Sequence, residues 1–194
     1  MMLESKKYFN PMLQPSIIER LSFVLKLVVF LILVSPLIII SFFGRGILPL
    51  IDKWFPLIFH KLLIWLLSVK IKHEGNKKKS KECNLFVCNH ISYLDIPILG
   101  SSIPVRFVAK SEVKDWPIFG FLSKLANTVY IKRVKSDTLL QKFFLLDLLS
   151  LGEKLLIFPE ATTSDGNRVL PFKSSVFSSL ENQNFIIQPL VIIY

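Results

Sequence analysis

Apolar positions along this chain fall into three regimes. From 21 to 43 they are almost continuous, with Lys26 the single charge and Pro36 inside the run. That length is enough for a helix to span a bilayer, which takes about 20 residues. From 47 to 69 they remain dense but share the stretch with Asp52, Lys53, His60 and Lys61. Those charges argue against a clean span and predict an amphipathic or re-entrant helix in the interface. The competing reading of both stretches is a buried helical hairpin in a soluble core. Beyond a polar linker at 70–82, short apolar runs at 85–88, 105–109, 128–131, 155–158 and 185–193 read as strands. Segments 111–126 and 136–151 read as helices between them. Alternation of this kind predicts an α/β fold, a mixed sheet flanked by helices, preceded by N-terminal apolar membrane helices.

Two regions follow: a membrane-associated helical region at 1–69 and a sheet domain at 70–194. Residues 1–20 are polar and mixed and read as a loose or interfacial arm. The apolar core that follows is too long for a cleavable signal, and no small-residue cleavage site succeeds it. The segment at 185–194 reads as a core strand that stops at the final residue, so the domain is expected to be truncated at its C-terminus.

Charge sharpens this picture. There are 24 Lys+Arg against 14 Asp+Glu, a formal net charge of +10, on a chain that is 52% hydrophobic. Basic and apolar together point to an anionic membrane surface. Nucleic acid is excluded as a partner, because its binders interleave basic residues with exposed aromatics on a polar face. Here the lysines cluster at 70–81 beside apolar segments, and the run at 77–79 reads equally as a solvated turn. Cys83 and Cys88 read as reduced cytosolic thiols. No metal site is expected, since His60 and His73 lack spaced partners.

The candidate chemistry begins where the first strand ends, at Asn89, His90 and, five positions after the histidine, Asp95. On one continuous helix five residues turn the chain by about 500°, leaving the two side chains roughly 140° apart. The pair can meet only if His90 lies in a loop and Asp95 in the first turn of a following helix. Pro97 suits such a first turn. A less functional reading of Ser92 through Asp95 is a capping box serving only the helix end.

Three further clusters follow. Arg106, Lys110 and Glu112 precede Trp116, Pro117 and Gly120; next comes Phe158-Pro159-Glu160 with Ala161, Thr162 and Thr163; last is Gln188-Pro189. A strand ending in Phe-Pro-Glu delivers a carboxylate to the sheet edge, where α/β folds place their ligands. With these blocks in order over about residues 70–194, the sequence resembles the glycerolipid acyltransferases of the 1-acyl-glycerol-3-phosphate acyltransferase type. The resemblance implies that His90 is the catalytic base and Asp95 its orienting acid. It assigns Asn89, Arg106, Lys110, Glu112, Pro159, Glu160, Thr162 and Thr163 to substrate binding, the third block to the acceptor's head group. It implies a fatty acyl group passing from acyl-CoA or acyl carrier protein to a lysophospholipid hydroxyl, most simply 1-acyl-glycerol-3-phosphate, in phospholipid biosynthesis. No cofactor or metal is implied, and the site would face the cytoplasm at the inner membrane. The acceptor oxygen would attack the thioester directly, with backbone N–H groups near the His90 loop as the expected oxyanion donors.

The third block departs from the usual Phe-Pro-Glu-Gly-Thr-Arg-Ser of this family. If the usual glycine adopts positive φ, Ala161 costs about 1–2 kcal/mol there. Thr163 stands where an arginine would grip a phosphate bidentately, which a hydroxyl cannot do. The variant looks like a bacterial branch that includes lyso-ornithine-lipid acyltransferases, so a non-phosphate acceptor is an alternative. The different-class alternative is a non-catalytic lipid-binding protein of the same fold. Plainer roles also exist for two of the cations and for the third-block acid. Arg106 and Lys110 could be snorkelling cations at a strand end, and Glu160 could pair with a nearby lysine.

Overall fold

A computed structural model describes residues 16–44, 49–75, 83–132, 138–173, 177 and 185–194. Helix α1, Ile17–Gly44, starts ahead of the apolar run because Ser16 and Glu19 form a capping box. The Ser16 N–H donates to Glu19 Oε2 at 2.7 Å and the Glu19 N–H to Ser16 Oγ at 3.2 Å. Residues 17–20, expected in a loose arm, are therefore helical, while 1–15 lie outside the described residues. Helix α2, Pro49–Leu66, packs back on α1 through Phe30 and Val34 against Phe55 and Phe59. Lys26, the charge inside the apolar run, donates to Ser68 Oγ at 2.7 Å just past the end of α2.

α1 is long and apolar enough to cross a membrane, and only 11% of its most apolar 18-residue window is buried. Its outward Leu21, Leu25, Ile32 and Ile39 are exposed. A buried hairpin in a soluble core does not describe a helix that turns so much apolar surface outward.

The rest of the described chain is an α/β sheet in the order β3-β2-β4-β1-β5. The strands are β1 (Leu85–Cys88), β2 (Arg106–Lys110), β3 (Val129–Ile131), β4 (Leu155–Ile157) and β5 (Ile187–Leu190). The helices between them are α3 (Asp95–Ser102), α4 (Phe119–Leu125) and α5 (Thr138–Ser150). All pairings among the described residues are parallel, so the mixed sheet expected from the sequence is a parallel one over these strands. Side chains alternate across β1. Leu85 and Val87 join Leu149, Leu155 and Ile157 on the face covered by α5. Phe86 and Cys88 join Leu99, Phe107 and Leu156 on the face covered by α3. On the outside of α3, Gly100 meets the ring of buried His60 from α2, leaving no room for a Cβ. That contact fixes the N-terminal hairpin to the helix that carries Asp95.

Two expected elements differ. Segment 111–126 is not one helix: a 3₁₀ turn, Ser111–Asp115, ends at Trp116, which is extended (ψ 135). The residue before a proline is driven out of the helical region, and Pro117 follows. Ile118 then takes φ 60 before α4 begins, and a Cβ on Gly120 would strike the Lys114 carbonyl. Segment 185–193 is not a core strand either. β5 is shorter and, among the described residues, pairs with β1 alone, leaving Ile187 and Ile193 exposed.

Candidate active site

A parallel sheet gathers the loops that follow its strands at one edge, and the first and fourth strands bring their motifs together there. His90 follows β1 and Asp95 opens α3, as the spacing requires. His90 Nδ1 lies 2.7 Å from Asp95 Oδ2. Because a carboxylate accepts at Nδ1, the neutral ring carries its proton there and keeps a lone pair on Nε2. Among the described residues no hydrogen-bonding partner meets Nε2. The imidazole stacks on Phe158 at 4.1 Å and 16°, which holds the ring plane.

Asp95 is fully buried. Its Oδ2 also accepts the N–H groups of Ile91 at 2.7 Å and Ser92 at 3.0 Å, while Oδ1 accepts the Tyr194 hydroxyl at 2.6 Å. Burial pushes its carboxyl up, but the hydrogen bonds from His90, Tyr194, Ser92 and Ile91 outweigh that and hold it below the usual range. The capping box expected at Ser92–Asp95 is half formed. Asp95 accepts the Ser92 N–H, but α3 is capped at Leu94 without a side-chain bond and Ser92 Oγ accepts the Leu94 N–H, so the carboxylate is aimed at His90 and its loop.

Glu160 is the second buried carboxylate, 1% exposed. Its Oε1 accepts the His90 backbone N–H and its Oε2 that of Leu170, both at 2.7 Å. Ser164 N–H donates to the His90 carbonyl at 2.8 Å, and Lys173 N–H to the Pro159 carbonyl at 2.9 Å. The loop after β4 is therefore tied to the histidine loop from both sides. Among the described residues no lysine pairs with Glu160; backbone donors take both of its oxygens, and it splices the loop after β4 to the histidine loop. The amides of His90, Ile91 and Ser92 all serve carboxylates, so the expected oxyanion donors in this loop are already occupied.

The remaining candidates divide. Asn89 is buried, with Oδ1 accepting Ile192 N–H at 2.9 Å and Nδ2 donating to the Ile192 carbonyl at 3.1 Å. That makes it a clamp on the chain after β5 rather than a group open to a ligand. Arg106 opens β2 at the opposite edge of the sheet, four residues before Lys110, a separation of roughly 13 Å at the rise of a strand. Its Nε donates to the Asn127 carbonyl at 2.8 Å, so the structure does not bring it to this site. Lys110 and Glu112 are at the right edge and pair at 2.8 Å with both side chains largely in solvent. Pro159 is buried, whereas Thr162 and Thr163 are exposed. A hollow of about 370 Å³ is lined by Glu160, Ala161, Thr162, Leu170, Pro171 and Lys173. Ala161 has φ 63, so the condition under which its Cβ is costly is met.

Four residues without an assigned role also shape the site. Phe158 and Tyr194 touch the dyad directly. Exposed Trp116 and Phe119 lie 6.3 Å from the Tyr93 ring, close to the histidine loop. Cys88 is not a competing nucleophile: burial and the Asp95 charge push its thiol up to about 12. Among the described residues no group of three or more His, Cys, Asp or Glu side chains is placed to hold a metal ion.

The family model described as acyltransferase matches residues 70–193. A lyso-ornithine lipid O-acyltransferase of Brucella abortus is 40% identical over 126 residues, which is 64% of this chain and 46% of that protein. A 1-acyl-sn-glycerol-3-phosphate acyltransferase of Neisseria gonorrhoeae is 38% identical over 96 residues, 49% of this chain and 38% of that one. The chain thus spans less than half the length of these relatives. The crystal structure of the 1-acyl-sn-glycerophosphate acyltransferase PlsC from Thermotoga maritima superposes with a TM-score of 0.63 at 23% identity, covering 86% of this chain and 69% of that one. It is a likeness of fold.

Proposed function

The chain belongs to the acyltransferase family, and on that premise we propose that it moves a fatty acyl group from a thioester, acyl-CoA or acyl carrier protein, to the free hydroxyl of a lysolipid. The observation that carries this reading is the His90–Asp95 contact with Nε2 left open. Neutral His90 takes the acceptor's hydroxyl proton as that oxygen attacks the thioester carbonyl. Asp95 fixes the tautomer and stabilises the imidazolium that forms. The tetrahedral intermediate then expels the thiolate, which recovers the proton from His90. No enzyme nucleophile intervenes, and the raised Cys88 thiol fits that economy of parts.

The acceptor reading turns on the rim of the hollow beside Glu160. Thr162, with exposed Thr163 next to it, offers a hydroxyl and Lys173 a single cation; among the described residues that line the hollow there is no guanidinium. This favours lyso-ornithine lipid over lysophosphatidic acid, as does the name of the Brucella relative, which matches over the longer stretch. Lysophosphatidic acid stays the second reading, through Lys110 and Lys173. α1 is the membrane anchor in this scheme, with the active site on the cytoplasmic side and the exposed Trp116 and Phe119 lining the acyl chain's approach from the leaflet.

The test is turnover of acyl-thioester by purified protein in mixed micelles against a lysolipid panel. Acylation of lyso-ornithine lipid with a kcat/KM above that for lysophosphatidic acid is expected. Free thioester hydrolysis with no acylated lipid, whatever the acceptor, would count against acyl transfer.

A further inference from the structure

We propose that Tyr194 is a positioning residue of the dyad: its hydroxyl, bonded to Asp95 Oδ1 at 2.6 Å, fixes the carboxylate so that Oδ2 faces His90 Nδ1. The proposal rests on the dyad reading above. A carboxylate rotates about its Cβ–Cγ bond with a broad, roughly two-fold preference, so nothing intrinsic selects which oxygen meets the histidine. In this site the two oxygens are unequal. Oδ2 accepts His90, Ile91 and Ser92, whereas the donor on Oδ1 is Tyr194. Asp95 is fully buried, so loss of the Tyr194 hydroxyl leaves Oδ1 without a partner among the described residues. That imbalance rewards any rotation that shares the Oδ2 donors between both oxygens, and such a rotation lengthens the bond to Nδ1.

Tyr194 is itself held from the strand that delivers His90. β5 pairs with β1 up to Cys88 and Leu190, and the Asn89 amide then grips both the N–H and the carbonyl of Ile192. Two residues later the chain places the phenol over Asp95. The clamp at Asn89 therefore sits immediately before the histidine and sets the position of the group that orients the histidine's partner. The phenol keeps its proton: burial, then the charge and hydrogen bond of Asp95, push it above the ordinary tyrosine value. It acts as a donor throughout.

The test compares the full chain, Tyr194→Phe, Asp95→Asn, their double variant and His90→Ala in micelles, with two readouts. The first is the His90 Nδ1–H proton in ¹⁵N-histidine-labelled protein, assigned by its absence in His90→Ala. The second is kcat and KM for the best lysolipid. In Tyr194→Phe the Nδ1–H signal should shift and exchange faster with solvent. Its kcat should fall on the order of tenfold, as for one lost hydrogen bond to a charged group, with KM within twofold. Adding Tyr194→Phe to Asp95→Asn should lower kcat less than twofold further, because the two act through one carboxylate. An unchanged Nδ1–H signal, multiplicative losses in the double variant, or a Tyr194→Phe protein that fails to fold overturns the positioning role. Retained turnover in folded His90→Ala sinks the dyad reading instead, and the Nδ1–H signal still reports separately on the Tyr194–Asp95–His90 linkage.

Discussion

Two regions of the same sheet edge hold their polar groups in opposite ways. Around His90, the carboxylates of Asp95 and Glu160 are buried and every described oxygen on them accepts a short hydrogen bond. At the rim, the Lys110–Glu112 pair stands in solvent and Thr162 and Thr163 point outward. The first region has the character of a fold element that ends in one reactive nitrogen. The second has the character of a surface that meets whatever is bound. Residues of one motif thus differ in setting: in Phe158-Pro159-Glu160 and the threonines after it, the buried half builds the site and the exposed half stands at the solvent rim. Substitution in the buried region should cost rate or stability, and substitution at the rim should change selectivity.

The largest expected effect is on rate. His90→Ala removes the base and should lower turnover at least ~100-fold without unfolding the protein. Asp95→Asn should cost nearly as much by favouring the wrong tautomer. Lys110→Met, at the rim, should leave stability within about 1 kcal/mol, because an exposed ion pair contributes little. Circular dichroism and initial rates on the three proteins check this, and a near-wild-type rate in folded His90→Ala would end the mechanism.

Glu160→Gln probes the splice. A glutamine must turn an NH₂ toward either the His90 or the Leu170 N–H, leaving a buried donor facing a donor. The expected loss is about 2 kcal/mol, or a Tm lower by about 4–8 °C for a chain of this size. A thermal scan showing no change would mean that the splice contributes nothing to holding the loops together.

The acid limb of stability follows from Asp95. Its carboxyl lies below the ordinary value of 3.8, so the folded state favours the ionised form. The unfolded chain therefore binds the proton first as pH falls. The resulting stabilisation is fully present above about pH 4 and is lost as pH drops through the folded value. Urea titrations from pH 6 to 3 should show wild type losing more stability than Asp95→Asn over that interval. Parallel slopes in the two proteins would assign the acid limb to other carboxylates.

The sequence made the local geometry readable and left the distant partners hidden. A five-residue spacing between His90 and Asp95, with Pro97 behind it, carries enough local constraint to imply a loop and a helix start. Positive φ at Ala161 was legible only as a condition, through the family's usual glycine, and the alanine itself gave no sign of it. The capping box at Ser16 and Glu19 was there to be read in a Ser-x-x-Glu pattern ahead of an apolar run. Tyr194 carried no such signal, because it meets Asp95 across 99 residues of chain through strand pairing. Arg106 misled for the same reason in reverse: proximity to Lys110 in sequence places it at the far end of one strand. Which edge a strand residue occupies depends on sheet topology, and no local pattern encodes that.

At the rim, Thr163→Arg supplies the fork that the third block lacks and should shift preference toward lysophosphatidic acid by about 1–2 kcal/mol, the low side of a charge-assisted hydrogen bond. Competition between lysophosphatidic acid and lyso-ornithine lipid, for wild type and variant, measures this directly. If wild type already uses lysophosphatidic acid alone and the variant is indistinguishable, the exposed threonine does not select the acceptor.

The smallest expected effect lies on the boundary between the two regions. Ala161 follows buried Glu160 and precedes exposed Thr162, and its φ of 63 lies in the left-handed region. An alanine Cβ there crowds the following carbonyl at a cost of about 1–2 kcal/mol. Glycine removes that strain but gives the unfolded chain more freedom, which takes back about 0.4–1 kcal/mol. Ala161→Gly should therefore stabilise the protein by about 0.5–1 kcal/mol, a rise in Tm of about 1–4 °C. Turnover should stay close to wild type, because the backbone bond from Ala161 N–H to the Phe158 carbonyl at 3.0 Å is available to either residue. A gain in stability with unchanged acceptor preference puts Ala161 with the buried scaffold. A gain accompanied by altered preference puts it with the rim, and shows that strain at this turn holds Thr162 and Thr163 in the conformation that meets the acceptor.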